Sequence, residues 1–252
     1  MAEAGAMKIV IISDIHANME AIEALPEVGD QLWVLGDLVN YGPNPVPVID
    51  WVRRNATVVV RGNHDHAAAT GEDPRCSAPF REMSRVMLAY THARLRIDQR
   101  EYLGSLPLAS QQEVGGQSFF LCHAAPSHPL FRYITADSPR WEQESEMTSA
   151  DVVLTGHTHV PFIRRIGKRI VANPGSLGQP KTGTPLASYA VWDGDLHLHS
   201  YPYDYETTIR KIKALPIAPN VQNALAGVLA KGGLQMGDDS APANQGSWPE
   251  LT

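Results

Sequence analysis

Aspartate, asparagine and histidine recur in this sequence directly after apolar runs. Asp14-Ile15-His16 follows Lys8 to Ile12, and Gly36-Asp37 follows Gln31 to Leu35. Asn63-His64-Asp65 follows Val58-Val59-Val60, His123 follows Phe119 to Cys122, and Gly156-His157-Thr158-His159 follows Val152 to Thr155. Carboxylate, amide and imidazole donors without thiolate suit borderline divalent cations such as Mn²⁺, Fe²⁺ or Zn²⁺ and suit Ca²⁺ poorly. Asp14, His16, Asp37, Asn63, His123, His157 and His159 are too many donors for one tetrahedral ion. They suit two ions roughly 3.5–4 Å apart that share one carboxylate, an arrangement that hydrolyses phosphate esters. In Asp14-x-His16 and His157-x-His159, an extended backbone would put both side chains on one side, each pair facing a shared cluster. A lone histidine at any of these points reads as structural; repetition at successive strand ends is what packing does not explain.

Groups so far apart in sequence need a scaffold that gathers them, and the apolar runs supply it. Lys8–Ile12, Gln31–Leu35 and Thr57–Val60 read as strands, with helices over Met19–Leu25 and Val46–Arg54 between them. This βαβαβ rhythm predicts a parallel sheet with crossover helices, which binds ligands beyond the carboxyl ends of its strands. Val58-Val59-Val60 reads as a strand buried on both faces, ended by a turn at Arg61-Gly62-Asn63. Met83, Val86, Met87 and Tyr90 recur at helical spacing within Phe80–Arg94, and a shorter helix spans Gln99–Leu103. Strands then dominate: 112–114, 117–122, 152–155, 162–166, 169–172, 188–192 and 196–201, with hairpin turns at Gly115-Gly116 and Asp193-Gly194. Helices over Thr207–Ala214 and within 216–231 follow, and Gly232 to Thr252 reads as a loose tail. Residues 1–6 look like a leader or cloning remnant, with Met7 the natural start. The division expected is therefore one catalytic domain over 7–215, with a helical insert at 67–107 near the site, and a C-terminal helix and tail over 216–252.

Composition narrows the function classes. A hydrophobic share of 43% and a charged share of 19% are those of an ordinary globular protein. With 21 Lys and Arg against 27 Asp and Glu, the net charge of −6 disfavours binding to nucleic-acid polymers or anionic membranes. It leaves room for an anionic substrate held by bound cations. Two cysteines, Cys76 and Cys122, are too few for a disulfide framework. No apolar run approaches a membrane span and no signal peptide is visible, so the expected compartment is the reducing cytoplasm. A homo-oligomer is compatible with all of this.

Taken in order, Asp14-x-His16, Gly36-Asp37, Gly62-Asn63-His64-Asp65, His123 and Gly156-His157-x-His159 resemble the calcineurin-like metallophosphoesterase superfamily. The resemblance covers residues 8 to about 213. Tyr41-Gly42-Pro43, Asn173-Pro174-Gly175-Ser176 and Tyr203-Asp204 are further similar to its small prokaryotic branch of phosphodiesterases and diadenosine-tetraphosphatase-like proteins. The resemblance implies an α/β fold, a four-layer α/β/β/α sandwich of two mixed sheets flanked by helices. It implies two divalent metal ions, Mn²⁺ first, with Fe²⁺, Zn²⁺ or Ni²⁺ as alternatives. Asp14, His16 and His159 would hold one ion, Asn63, His123 and His157 the other, and Asp37 both. His64 would coordinate neither and would protonate the leaving oxygen, with Asp65 orienting its ring, while a water shared by the cations attacks phosphorus in line.

The expected activity is hydrolysis of small phosphodiesters or nucleotides, diesters rather than monoesters. Arg61, Tyr41, Asn173, Ser176 and His128 are candidate substrate contacts. A protein Ser/Thr phosphatase of the same superfamily is the nearest alternative. Those enzymes carry Asp-Arg-Gly where this chain has Asn40-Tyr41-Gly42, and they lack the Gly-His-x-His block. A non-enzymatic scaffold on the same fold, as in the retromer coat, loses the motif histidine that His64 retains here.

Overall fold

The computed structural model describes residues 7–234; the leader expected at 1–6 and the tail from 235 onward lie outside the described residues. The first sheet is built on three parallel strands, β1 (Ile9–Ile12), β2 (Gln31–Val34) and β3 (Val58–Val59). The second contains β4 (Ala109–Val114), β5 (Gln117–Cys122), β6 (Val152–Leu154), β7 (Phe162–Ile166) and β8 (Arg169–Asn173). The chain then returns to the first sheet with β9 (Leu186–Trp192) and β10 (Leu196–Pro202), both antiparallel additions. The orders are β10-β9-β1-β2-β3 and β4-β5-β6-β8-β7, with β5, β6 and β8 parallel to one another.

Side-chain alternation divides the core into layers. Ile9, Ile11, Trp33 and Leu35 face Phe119, Leu121, Val152 and Leu154 between the sheets. Val10, Ile12 and Val34 face the other way, onto Val48, Ile49 and Val52 of α2 (Pro45–Asn55), with α1 (Met19–Glu23) alongside. Both faces of β1 are thus covered, which is why it carries no polar residue. Each large apolar side chain buried here contributes about 1.5–3 kcal/mol. Trp141 of α6 (Arg140–Glu146) covers Val153 and Val171 on the outer face of the second sheet. The result is the expected α/β/β/α sandwich of two mixed sheets.

Two local expectations fail. The Val58-Val59-Val60 run is a two-residue edge strand in which Val58 and Val59 are only partly buried. Beyond it, Asn63 does not end a turn but begins a helix, α3 (Asn63–Thr70). The insert continues with α4 (Ala78–Arg94) and α5 (Ile97–Ser105). Met83 and Met87 of α4 pack with Ile212 of α7 (Tyr205–Lys213) and with Val221, Leu225 and Val228 of α8 (Pro219–Lys231), and Tyr41 joins this cluster.

Candidate metal centre

The segments just past β1, β2, β5, β6 and β8 are stitched together by main-chain hydrogen bonds. Asp14 N–H donates to Gly36 O (3.0 Å), Gly156 N–H to His123 O (2.8 Å) and Leu177 N–H to Ser13 O (2.9 Å). Asp14, His16, Asp37, His157 and His159 all have left-handed backbones, with φ of 52, 47, 55, 67 and 63°. For non-glycine residues such conformations cost on the order of 1–3 kcal/mol each and persist only where the surroundings impose them. Glycines make room for this crowding: a Cβ at Gly62 would lie 2.1 Å from Asp37 Oδ1, and one at Gly156 2.0 Å from Ser13 Oγ. The extended backbone expected for the i, i+2 pairs is therefore absent. Tight turns orient these side chains, and His157 and His159 point into different groups.

Among the described residues those groups are two. Potential ligand atoms of Asp14, His16 and His159 lie within 4.8 Å of one another, as do those of Asp37, His123 and His157. Backbone carbonyls fix the imidazoles: His16 Nδ1 faces Val39 O (3.1 Å), His159 Nδ1 faces Gln179 O (2.6 Å) and His123 Nδ1 faces Leu35 O (2.7 Å). A carbonyl only accepts, so each Nδ1 carries a proton, and in the neutral ring the lone pair is left on the Nε2 that faces the centre. Asp37 Oδ2 sits between the groups, 3.7 Å from His16 Nε2 and 3.2 Å from His123 Nε2. Asn63 donates its amide N–H to Pro74 O (2.7 Å), which turns Oδ1 inward to within 3.0 Å of His123 Nε2.

These residues fit divalent cations. Asp14 Oδ1 is buried with no hydrogen-bond partner among the described residues. His16 Nε2 faces His159 Nε2 at 3.2 Å, and His157 Nδ1 faces His123 Nε2 at 3.2 Å. His16 and His159 are both held neutral, so their opposed Nε2 lone pairs at that distance call for positive charge between them. Burial pushes the carboxyl of Asp14 up to about 6 and His16 down to about 3, and it holds His157 and His159 well below the ordinary imidazole value. Burial also opposes charge on His123, but Asp37 outweighs it and raises His123 to about 9.

His64 lies beside both groups and belongs to neither. Its N–H donates to Asp37 Oδ1 (2.9 Å), and its ring packs edge-on against His16 and Tyr41, with centroids 5.2 and 4.8 Å away. Asp65 does not orient this ring, contrary to expectation. Its carboxylate accepts from the N–H groups of Asp37 (2.8 Å), Leu38 (2.8 Å) and Gly62 (3.0 Å), tying the loop after β2 to the start of α3. The group at His64 Nδ1 is the amide of Asn40, 2.7 Å away. An amide N–H only donates, so the neutral ring carries its proton on Nε2. That nitrogen lies 3.5 Å from Cys76 Sγ. Sequence reasoning passed over Asn40, although its place three residues after Asp37 on the same loop was the available signal.

A family model described as the calcineurin-like phosphoesterase superfamily domain matches residues 7–195. The chain belongs to this superfamily. As a calcineurin-like phosphoesterase it is a hydrolase of phosphoesters. An uncharacterized protein of Methanocaldococcus jannaschii is 28% identical to it over 228 residues, covering 81% of this chain and 91% of the relative. Phosphodiesterase YfcE of Escherichia coli strain K12 is 27% identical over 205 residues, covering 75% of this chain and 89% of the relative. The crystal structure of a metallophosphoesterase from Sphaerobacter thermophilus matches with a TM-score of 0.76 at 29% identity, covering 88% of this chain and 99% of that one.

Within this phosphoesterase, the residues expected at the substrate are mostly engaged elsewhere. Arg61 donates from Nε and Nη2 to Leu106 O (2.9 and 2.7 Å), which pins the chain between α5 and β4. Tyr41 is 5% exposed, wedged among His16, His64 and Phe80, so neither ring face is open to a base. Asn173 donates to Gly156 O (2.6 Å) and Thr158 Oγ1 (3.1 Å), and Ser176 Oγ donates to Asp14 O (2.8 Å). Both shape the ligand-bearing loops from within, since each is fully buried. His128 is exposed, with its ring turned back onto Ser127 O. The accessible aromatic is one that sequence reasoning did not single out: Tyr133, 50% exposed, packs edge-on against His157 with centroids 5.6 Å apart.

Proposed function

We propose that this phosphoesterase is metal-dependent and hydrolyses small phosphodiesters or nucleotides. Asp14, His16 and His159 hold one divalent cation, Asn63, His123 and His157 hold a second, and Asp37 is shared. The observation that carries this reading is the position of Asp37 Oδ2, 3.7 Å from His16 Nε2 in one group and 3.2 Å from His123 Nε2 in the other. When bound, such cations withdraw charge from a phosphoryl group and acidify water, and Mn²⁺ is the first candidate.

The chain's own residues do the rest. His64 in its protonated form directs Nε2–H towards the leaving oxygen, and Asn40, 2.7 Å from Nδ1, fixes the orientation of the ring. Burial opposes charge on this imidazole, while Cys76 and Asp37 favour it and raise its pKa above the ordinary value. Replacing Asn40 by Asp puts a carboxylate beside Nδ1 and favours the protonated ring. Asn40→Asp should move the alkaline limb of the pH–rate profile up by about one unit or more. An unmoved limb would remove Asn40 from this role.

Metal binding should follow the same protons. Cation uptake displaces the proton of His123, whose pKa is raised to about 9, and below pH 6 also that of Asp14, raised to about 6. Affinity should therefore climb about tenfold per pH unit between 6 and 9, and more steeply below 6. Chelator competition across that range measures it, and a flat profile would exclude these groups as ligands.

Access favours small substrates. Asn40 Nδ2 also donates to Ser84 Oγ of α4 (3.1 Å), so the insert at 67–107 closes over the loop that carries Asn40 and Tyr41. A phosphorylated protein segment would need an open groove there. Small diesters, cyclic nucleotides and dinucleoside polyphosphates should be cleaved with higher kcat/KM than phosphoserine peptides. A clear preference for the peptides would favour the protein-phosphatase alternative. Cys76 and Cys122 are both free, which suits a reducing cytoplasm.

A further inference from the structure

The loop after β8 anchors the metal centre at two points. Gln179 O accepts from His159 Nδ1 (2.6 Å), and Gly178 N–H donates to Asp14 O (3.0 Å). Two residues further on stands Lys181, partly buried, with Nζ 4.5 Å from the centroid of Phe80. Lys8 and Lys211 are paired with Glu27 and Glu20. Lys181 differs, for among the described residues its ammonium touches no carboxylate and no other hydrogen-bond acceptor.

That charge nevertheless belongs to the centre. Burial lowers the pKa of Lys181, while Asp14, ionised Cys76 and Asp37 pull it back up. Lys181 in turn helps to hold His157 and His159 neutral. The ammonium therefore lies in the field of the two carboxylates without contacting either. Cations bound by Asp14 and Asp37 would cancel that attraction. A partly desolvated ammonium resting on an aromatic face, with no anion of its own, then has its best partner in an incoming anion. Its platform, Phe80, packs edge-on against Tyr41 with centroids 6.2 Å apart. Tyr41 in turn packs against His16 and His64, with centroids 5.0 and 4.8 Å away, so Phe80 and Lys181 stand behind the wall of the centre.

We propose that Lys181 is a substrate-binding and specificity-determining residue, whose ammonium takes phosphoryl-oxygen charge beyond what the two cations hold. Among the small substrates of this centre, it would add most to phosphoesters of charge −2 or more, such as nucleotides with a terminal or second phosphoryl group, and least to monoanionic diesters. The role rests on the phosphoesterase reading of the centre.

Lys181→Met, Lys181→Arg and the surface control Lys168→Met, all Mn²⁺-loaded, test it with p-nitrophenyl phosphate, a dianion at pH 8, and bis(p-nitrophenyl) phosphate, a monoanion. Losing one charge-assisted hydrogen bond should cost about 10–100-fold in kcat/KM on the dianion and less than about threefold on the monoanion. Inhibition by orthophosphate should weaken about tenfold or more, Mn²⁺ content should stay the same, and Arg should restore most of the loss. Equal losses on both esters, unchanged phosphate inhibition, or loss of Mn²⁺ from Lys181→Met would overturn the role of Lys181 alone. A wild type that turns over neither ester would overturn the phosphoesterase reading and this role with it.

Discussion

Asp37→Asn is expected to release both cations and to abolish turnover. Asp37 is 1% exposed, its Oδ1 accepts the His64 N–H at 2.9 Å, and its Oδ2 lies between His16 and His123. An amide of the same size can still accept that N–H, so the loop after β2 should keep its shape. What is lost is the one negative charge placed to serve both ligand groups. The remaining imidazoles of each group would then hold a cation with less anionic charge. The rate should fall about 10³-fold or more, the scale on which a principal electrostatic element acts. Elemental analysis separates causes: two full-occupancy metals in the variant would refute sharing, even if the rate fell.

His64→Ala should keep both metals and still lose about 10²–10⁴ in rate, the usual contribution of a positioned general acid. The ring supplies no atom to either ligand group; it packs edge-on against His16 and otherwise touches Asn40, Tyr41 and Cys76. The loss should shrink for esters with very good leaving groups, because these depart with little protonation. A rate deficit that is the same for poor and good leaving groups would argue against proton donation. Metal loss from the variant would make His64 a ligand.

The strand ends were legible in the sequence because β1, β2, β5 and β6 are short apolar runs, so the first polar residue after each run marked the site edge. Other features left no such trace. α3 reads Asn63-His64-Asp65-His66 and α6 has Trp141 as its one large buried apolar residue, so neither shows helical periodicity. The neighbours of His64 were equally hidden. Asp65 is adjacent in sequence and Asn40 is not, yet left-handed turns at Asn40 (φ 73°) and Tyr41 (φ 59°) carry the amide to the ring. Arg61 finds its acceptor at Leu106 and Lys181 its platform at Phe80, contacts across long loops that no local pattern encodes. The split of His157 from His159 was implied by the resemblance, but the left-handed turns that produce it are not encoded in any local pattern.

The most direct measurement is turnover of a chromogenic phosphodiester by chelator-stripped protein, titrated with Mn²⁺ while bound metal is counted. A centre in which Asp37 joins two ligand groups predicts no turnover without metal and full activity only as the second equivalent per chain is bound. Full activity in the stripped protein, or saturation at one equivalent, would contradict it.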